Sequence, residues 1–188
     1  YRLDLDATRP LVLQGDGGYS VKSAQGQASY YYSQPFYQVK GTITVDGKDI
    51  AVTGRAWFDH EWSSQPLAAD QTGWDWFSFH FDDGAKLMGF RLRDAGEGFT
   101  SATWISPEGN AEPQPPGALV VTPLAWKDVQ GHRVPVQWKV ALPAKAIEVT
   151  TAPLNADAWM ATQVSYWEGP VRISGSHPGV GYVEMTGY

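Results

Sequence analysis

Gly73-Trp74-Asp75-Trp76-Phe77-Ser78-Phe79-His80-Phe81, then Asp82-Asp83-Gly84, then Ala85-Lys86-Leu87-Met88-Gly89-Phe90-Arg91-Leu92-Arg93, is the stretch on which the fold turns. Aromatic residues dominate its first nine positions, and large aromatics favour strands. A turn of acidic residues and glycine separates two apolar runs, the pattern of a β-hairpin. In a strand, side chains alternate between faces. Trp74, Trp76, Ser78 and His80 therefore share one face, and Asp75, Phe77 and Phe79 the other. The first face combines two indoles with a hydroxyl and an imidazole, a set that could line a pocket or form a half-buried surface.

The same punctuation extends in both directions. Gly and Pro recur every ten or so residues, the spacing of all-β folds. Upstream, Tyr1 to Leu5 alternates like a strand, Asp16-Gly17-Gly18 is a turn, and Asp46-Gly47 joins strands expected at 37–45 and 49–62. A polar loop is expected over 63–72. Downstream, strands are expected at 100–105, 119–126, 134–142, 146–152, 165–174 and 181–186. The Pro-rich stretch 112–117 reads as a linker or edge loop. The one helical expectation is a short segment at 157–163. The fold class is all-β.

Composition narrows the function. The net charge is -6 and no basic run exists, which disfavours nucleic acid, because phosphate binding needs clustered Lys and Arg. With no cysteine, disulfides, zinc thiolates and cysteine nucleophiles are excluded. No apolar run is long enough for a transmembrane helix. Nine Trp, nine Tyr and seven Phe suit core packing, which is the ordinary role of any one of them, or the lining of a pocket for a large apolar ligand. Motifs for nucleotide binding, zinc proteolysis and the serine nucleophile elbow are absent. No cofactor is expected.

The densest chemistry lies in Trp57-Phe58-Asp59-His60-Glu61-Trp62. Alternation puts Trp57, Asp59 and Glu61 on one face and Phe58, His60 and Trp62 on the other. A His buried among these rings would give or take a proton near neutral pH. A carboxyl beside apolar rings would hold its proton to higher pH. Equally, Asp59 could serve the backbone at a bulge and His60 the strand end. Arg91 and Arg93 share a face and suit Asp59, Asp75 or Glu61 as partners, or anchor a ligand. His60 and His80 with carboxylates have no recognisable metal-ligand spacing.

Three segments carry a family resemblance: Gly54-Arg55-Ala56-Trp57-Phe58-Asp59-His60-Glu61-Trp62, Gly73 to Phe77, and Leu87 to Arg93. Tyr31-Tyr32-Ser33-Gln34-Pro35 and the ending Tyr166 to Val171 with Gly181 to Tyr188 agree with them. In this order they resemble the AttH-like / carotenoid 1,2-hydratase family. The resemblance implies two lipocalin-like antiparallel β-barrels in tandem. Residues 1–62 are then expected to end the first and 63–188 to form the second. For the hydratases it implies addition of water to an isoprenoid double bond, with His60 and Trp62 at matching positions and Asp59 as the adjacent carboxyl. Other acidic and Tyr positions of the hydratases fall near the strand after Gly84, which here reads Phe90-Arg91-Leu92-Arg93, so they have no counterpart.

The expected function is binding of a small hydrophobic, lipid-like or isoprenoid ligand. The alternative is a hydro-lyase acting by acid catalysis. Asp59, His60 and Trp62 are the catalytic candidates; Trp57, Trp74, Trp76, His80, Arg91 and Arg93 are the ligand-binding ones. Relatives described as secreted hydrolases, and one associated with ABC transporters, imply a periplasmic or secreted protein of the cell envelope and a transporter as partner. No nucleophile constellation supports hydrolysis.

Overall fold

The computed structural model describes residues 1–65 and 67–188, so part of the loop expected over 63–72, residue 66, lies outside the described residues. Two antiparallel sheets contain the strands. The first holds β1 (Arg2–Ala7), β2 (Val12–Leu13), β3 (Tyr19–Val21), β4 (Ala28–Val45) and β5 (Lys48–Trp62), with β4 pairing to the other four. The second holds β6 (Gly73–Phe81), β7 (Lys86–Arg93), β8 (Phe99–Ile105), β9 (Ala111–Gln114), β10 (Val120–Val129), β11 (His132–Leu142), β12 (Ile147–Pro153), β13 (Trp159–Met160), β14 (Tyr166–Gly175) and β15 (Gly179–Thr186). Its order is β10-β11-β12-β14-β15-β6-β7-β8-β9, with β13 on β14. A 3-10 turn, Pro143–Lys145, follows β11. Among the described residues no helix is long and apolar enough to cross a membrane.

The second sheet curls into a lipocalin-like half-barrel. Lys145, after β11, reaches Glu112 of edge strand β9 at 2.5 Å, so the two flanks of the sheet bend round toward each other. Its concave side is packed with Phe77, Phe79, Leu87, Trp138, Trp167 and Met185, none more than 1% exposed. Each such side chain contributes about 1.5–3 kcal/mol by burial. The alternation read from the sequence of β6 holds: Phe77 and Phe79 enter this core, and Trp76 and Ser78 face the opposite way, toward the first sheet.

The Asp46-Gly47 turn takes positive φ at both residues (49° and 75°), as a two-residue hairpin joining β4 and β5 requires. Strand β4 is much longer than the expected 37–45. It runs through Pro35 because a bulge places one extra residue between Gln34 and Tyr37. Gln34 satisfies the disturbed backbone there: Phe36 N–H donates to its Oε1 at 3.1 Å, and its Nε2 donates to the Arg9 carbonyl at 2.8 Å.

Gly41 lies where β1 crosses closest, and a Cβ at this position would overlap the carbonyl oxygen of Arg2. Gly41→Ala is expected to cost about 1–3 kcal/mol and to free β1 first. Faster hydrogen exchange at the β1 amides, with the second sheet unchanged, is the readout.

Two expectations are corrected. The helix at 157–163 is absent; a turn leads into β13, which pairs with β14. Tertiary contacts override local helical preference here: Trp159 stacks on His132 at 4.1 Å, and the Trp167 indole donates to the Ala156 carbonyl at 2.9 Å. The stretch 112–117 is not wholly a loop, since its first half is the end of β9. Pro113 is tolerated there because β9 is an edge strand.

Candidate functional site

The convex face of the half-barrel and one face of the first sheet meet in a seam, where the polar residues form three hydrogen-bonded groups. From the first sheet come Ser29, Tyr31 and Ser33 of β4 and Trp57, Asp59 and Glu61 of β5. From the second come Trp74 and Trp76 of β6, Phe90 and Leu92 of β7, and Glu184 of β15. Tyr31, Met88, Phe90 and Leu92 form the buried apolar floor.

Asp59 is the hub. Tyr31 donates its hydroxyl to Oδ2 at 2.9 Å, and the Trp57 indole donates to Oδ1 at 2.7 Å. Ser33 donates to the same Oδ1 and receives a bond from Gln14 Nε2 at 2.8 Å. The Trp76 indole donates to the Tyr31 hydroxyl oxygen at 3.0 Å, which ties the second sheet to this hub. Glu61 accepts from Ser29 and pairs with Lys22 at 2.6 Å. The Lys22 ammonium sits 3.9 Å from the Phe90 ring centre, a cation–π contact in a largely buried place. The Trp74 indole donates to Glu184 Oε1 at 2.7 Å.

Two cavities open along this seam. The first, about 480 Å³, is lined by Tyr31, Glu61, Trp62, Trp74 and Phe90 among others. The second, about 410 Å³, is lined by Arg55, Trp57, Ser78, His80 and Tyr182 among others. Asp59, Trp76 and Glu184 line both. Volumes of this order suit a drug-sized or terpenoid-sized ligand.

The two shared carboxyls differ in surroundings. Burial pushes Asp59 up, but its donors Ser33, Trp57 and Tyr31 oppose the rise. Burial also pushes Glu184 up, with only the Trp74 indole opposing, and with Glu168, Asp59 and Glu61 adding to the rise by charge repulsion. Hydrogen bonds to a carboxylate favour its ionised form. Both carboxyls are thus raised above the ordinary carboxylate range, Asp59 with three donors to its ionised form and Glu184 with one. Burial drives the Tyr31 hydroxyl well above its ordinary range, with Asp59 adding to the shift, so it remains a donor.

His80 is buried, and desolvation, with Lys86 and Arg55 adding, lowers it from 6.5 to about 3. It is neutral at physiological pH. Between pH 6.5 and about 3 the unfolded chain binds a proton that the folded one refuses. Stability should fall as pH drops through this window, by up to about 1.4 kcal/mol per pH unit. His80→Gln should remove that contribution. The raised carboxyls run in the opposite direction and are common to both proteins, so the readout is the difference between their urea-unfolding curves at pH 7 and pH 4.5. Parallel pH dependence of the two proteins would contradict the prediction.

The sequence candidates divide between three places. Trp57, Asp59, Trp74, Trp76 and His80 converge on the seam. His60 is exposed on the opposite face of β5, and is not the buried His envisaged; it stacks flat on Tyr32 at 5.3 Å and meets Trp62 edge-on at 5.0 Å. Trp62, half exposed, stacks on Tyr30 at 5.6 Å and forms the rim of the first cavity. Arg91 and Arg93 occupy the concave side of the half-barrel, apart from both cavities. There they pair with fully buried Asp75, at 2.8 and 2.5 Å. Among the described residues no three His, Asp or Glu side chains gather as a metal site.

Lys22, Tyr31, Glu61 and Glu184 had no place among the sequence candidates. Glu184 left a faint signal: in Gly181-Tyr182-Val183-Glu184-Met185 it breaks an apolar strand on the face shared with Tyr182. Only the β15–β6 register, which sets Glu184 opposite Trp76, brings it to the seam.

A family model described as AttH-like matches residues 1–188. Among solved structures, a protein of Nitrosomonas europaea described as AttH is 36% identical, with a TM-score of 0.89 over 99% of this chain and 61% of its own. Kievitone hydratase from Nectria haematococca is 20% identical, with a TM-score of 0.79 over 98% of this chain and 60% of its own. The chain thus spans about three fifths of the length of each. Among curated proteins no sequence matches it.

Proposed function

The chain belongs to the AttH-like family, and from that premise we propose that it binds an apolar, lipid-like or isoprenoid ligand in the seam and acts there as a hydro-lyase. One observation carries the reading: two largely buried carboxyls, Glu184 with one hydrogen-bond donor and Asp59 with three, line the same aromatic-walled cavities. Because donors favour the ionised form, the reading gives the acid role to Glu184 and the base role to Asp59. The hydratase name of one structural relative is in keeping with this chemistry.

In the forward direction Glu184 gives its proton to one carbon of a ligand double bond. The cation formed at the other carbon lies against the indole faces of Trp74 and Trp76, whose quadrupoles stabilise it. Water adds to that carbon and loses a proton to Asp59. Glu184 is left ionised and Asp59 protonated, and proton exchange through the open seam resets the pair. Tyr31 and Trp57 hold Asp59 in position.

The test offers the intact protein acyclic isoprenoid alkenes and follows both binding and the gain of one water by mass spectrometry. Binding with turnover is the expected result. Binding without turnover removes the hydro-lyase reading and leaves a carrier domain; absence of both removes the seam as a ligand site. Location in the cell envelope beside an ABC transporter is proposed from the family resemblance alone, and fractionation of the native host tests it.

A further inference from the structure

We propose that the second cavity is a polar subsite that takes an uncharged hydroxyl of the ligand whose apolar chain lies in the first, with His80 as its hydrogen-bonding partner. This rests on the seam being the ligand site.

His80 lines the second cavity and is only 8% exposed, yet its Nδ1 is buried with no hydrogen-bond partner among the described residues. Buried polar atoms are nearly always paired. Neither ring nitrogen has a partner among the described residues, and Nε2, which is not sealed off as Nδ1 is, is the one that a hydroxyl in the cavity can reach. Its ring is fixed edge-on against Trp57, at 5.5 Å and 73°, and Trp57 is itself anchored to Asp59. The imidazole is thus presented by a rigid support, as a specificity contact needs. Ser78 and Tyr182 bring further hydroxyls to the same walls.

Charge decides the class of group. Arg55, Asp59 and Glu184 all line the cavity. An anion would meet the Asp59 carboxyl, and a cation would meet the Arg55 guanidinium with Lys86 close by. A neutral donor–acceptor meets neither penalty. A neutral imidazole offers one donor and one acceptor, which match an alcohol's own pair. The two cavities share Asp59, Trp76 and Glu184, so one elongated molecule can fill both.

Farnesol and farnesene, which share a fifteen-carbon isoprenoid skeleton and differ in the hydroxyl, are the probes, titrated against the intact protein by quenching of tryptophan fluorescence. Wild type is expected to bind farnesol roughly tenfold more tightly, the worth of a well-made hydrogen bond. His80→Phe keeps a planar ring without nitrogens and should erase that preference while farnesene affinity holds. Val180→Phe, which narrows the second cavity from a partly exposed position, should do the same. Equal binding of the two probes by wild type, or a preference that survives both substitutions, overturns the polar subsite but leaves the seam as a ligand site. Failure of both probes to bind overturns the subsite and the seam together.

Discussion

Glu184→Gln should lower hydration turnover by roughly 10²–10⁴-fold, the usual contribution of a positioned general acid, while ligand affinity changes by no more than a few-fold. The substitution keeps size and shape. The glutamine oxygen can still accept from the Trp74 indole, which now donates to Glu184 at 2.7 Å, so the wall of the cavity stays in place. What disappears is the proton. Burial, reinforced by repulsion from Glu168, Asp59 and Glu61, raises this carboxyl, so the acid form persists above the ordinary carboxylate range. Wild-type turnover should accordingly fall as pH rises through the shifted value. Steady-state kinetics alongside equilibrium binding separate the two roles, and undiminished turnover by the variant would remove Glu184 as the acid.

Asp75→Ala is expected to destabilise the fold by about 3–5 kcal/mol, the range for breaking a buried ion pair from one side. Asp75 has no solvent exposure. Its carboxylate receives Arg91 Nε at 2.9 Å, an Arg93 guanidinium nitrogen at 2.5 Å and the Tyr188 hydroxyl at 2.7 Å. Arg93 also donates to the Thr186 carbonyl and lies 3.9 Å from the Tyr188 ring centre. Without the carboxylate, two largely buried guanidinium groups lose their countercharge inside the half-barrel. A drop of roughly 6–20 °C in melting temperature follows for a chain of this size. Thermal and urea unfolding measure it, and a loss under 1 kcal/mol would mean that water reaches the cluster. Because Arg91 and Arg93 lie across the sheet from the seam, ligand affinity in the folded variant should be little changed.

The aromatic alternation of β6, the Asp46-Gly47 hairpin and the strand periods of the second half were readable because they depend on residues adjacent in sequence. The errors came where distant groups intervene. β4 continues through Pro35 because Gln34 repairs the backbone at the bulge. The segment at 157–163 avoids helix because His132 and β14 hold it. Asp59, Trp57, Trp74, Trp76 and His80 could be found as site candidates, since each is a polar or aromatic residue on a predictable strand face. His60 stands next to Asp59 in sequence yet faces away from the seam, as strand alternation demands.

The all-β class, the family and the sharing of faces within each strand follow from a two-residue period and from motif order, which are properties of neighbouring residues. Which faces meet depends on how the sheets pack. Sheet packing turns Trp57, Asp59 and Glu61 toward Trp74, Trp76 and Glu184, and sends Arg91 and Arg93 to the other side of the half-barrel. Strand register and sheet curvature bring residues 110 or more positions apart within hydrogen-bonding distance, as with Trp74 and Glu184. Those pairings decide how many donors each carboxyl receives, one at Glu184 and three at Asp59.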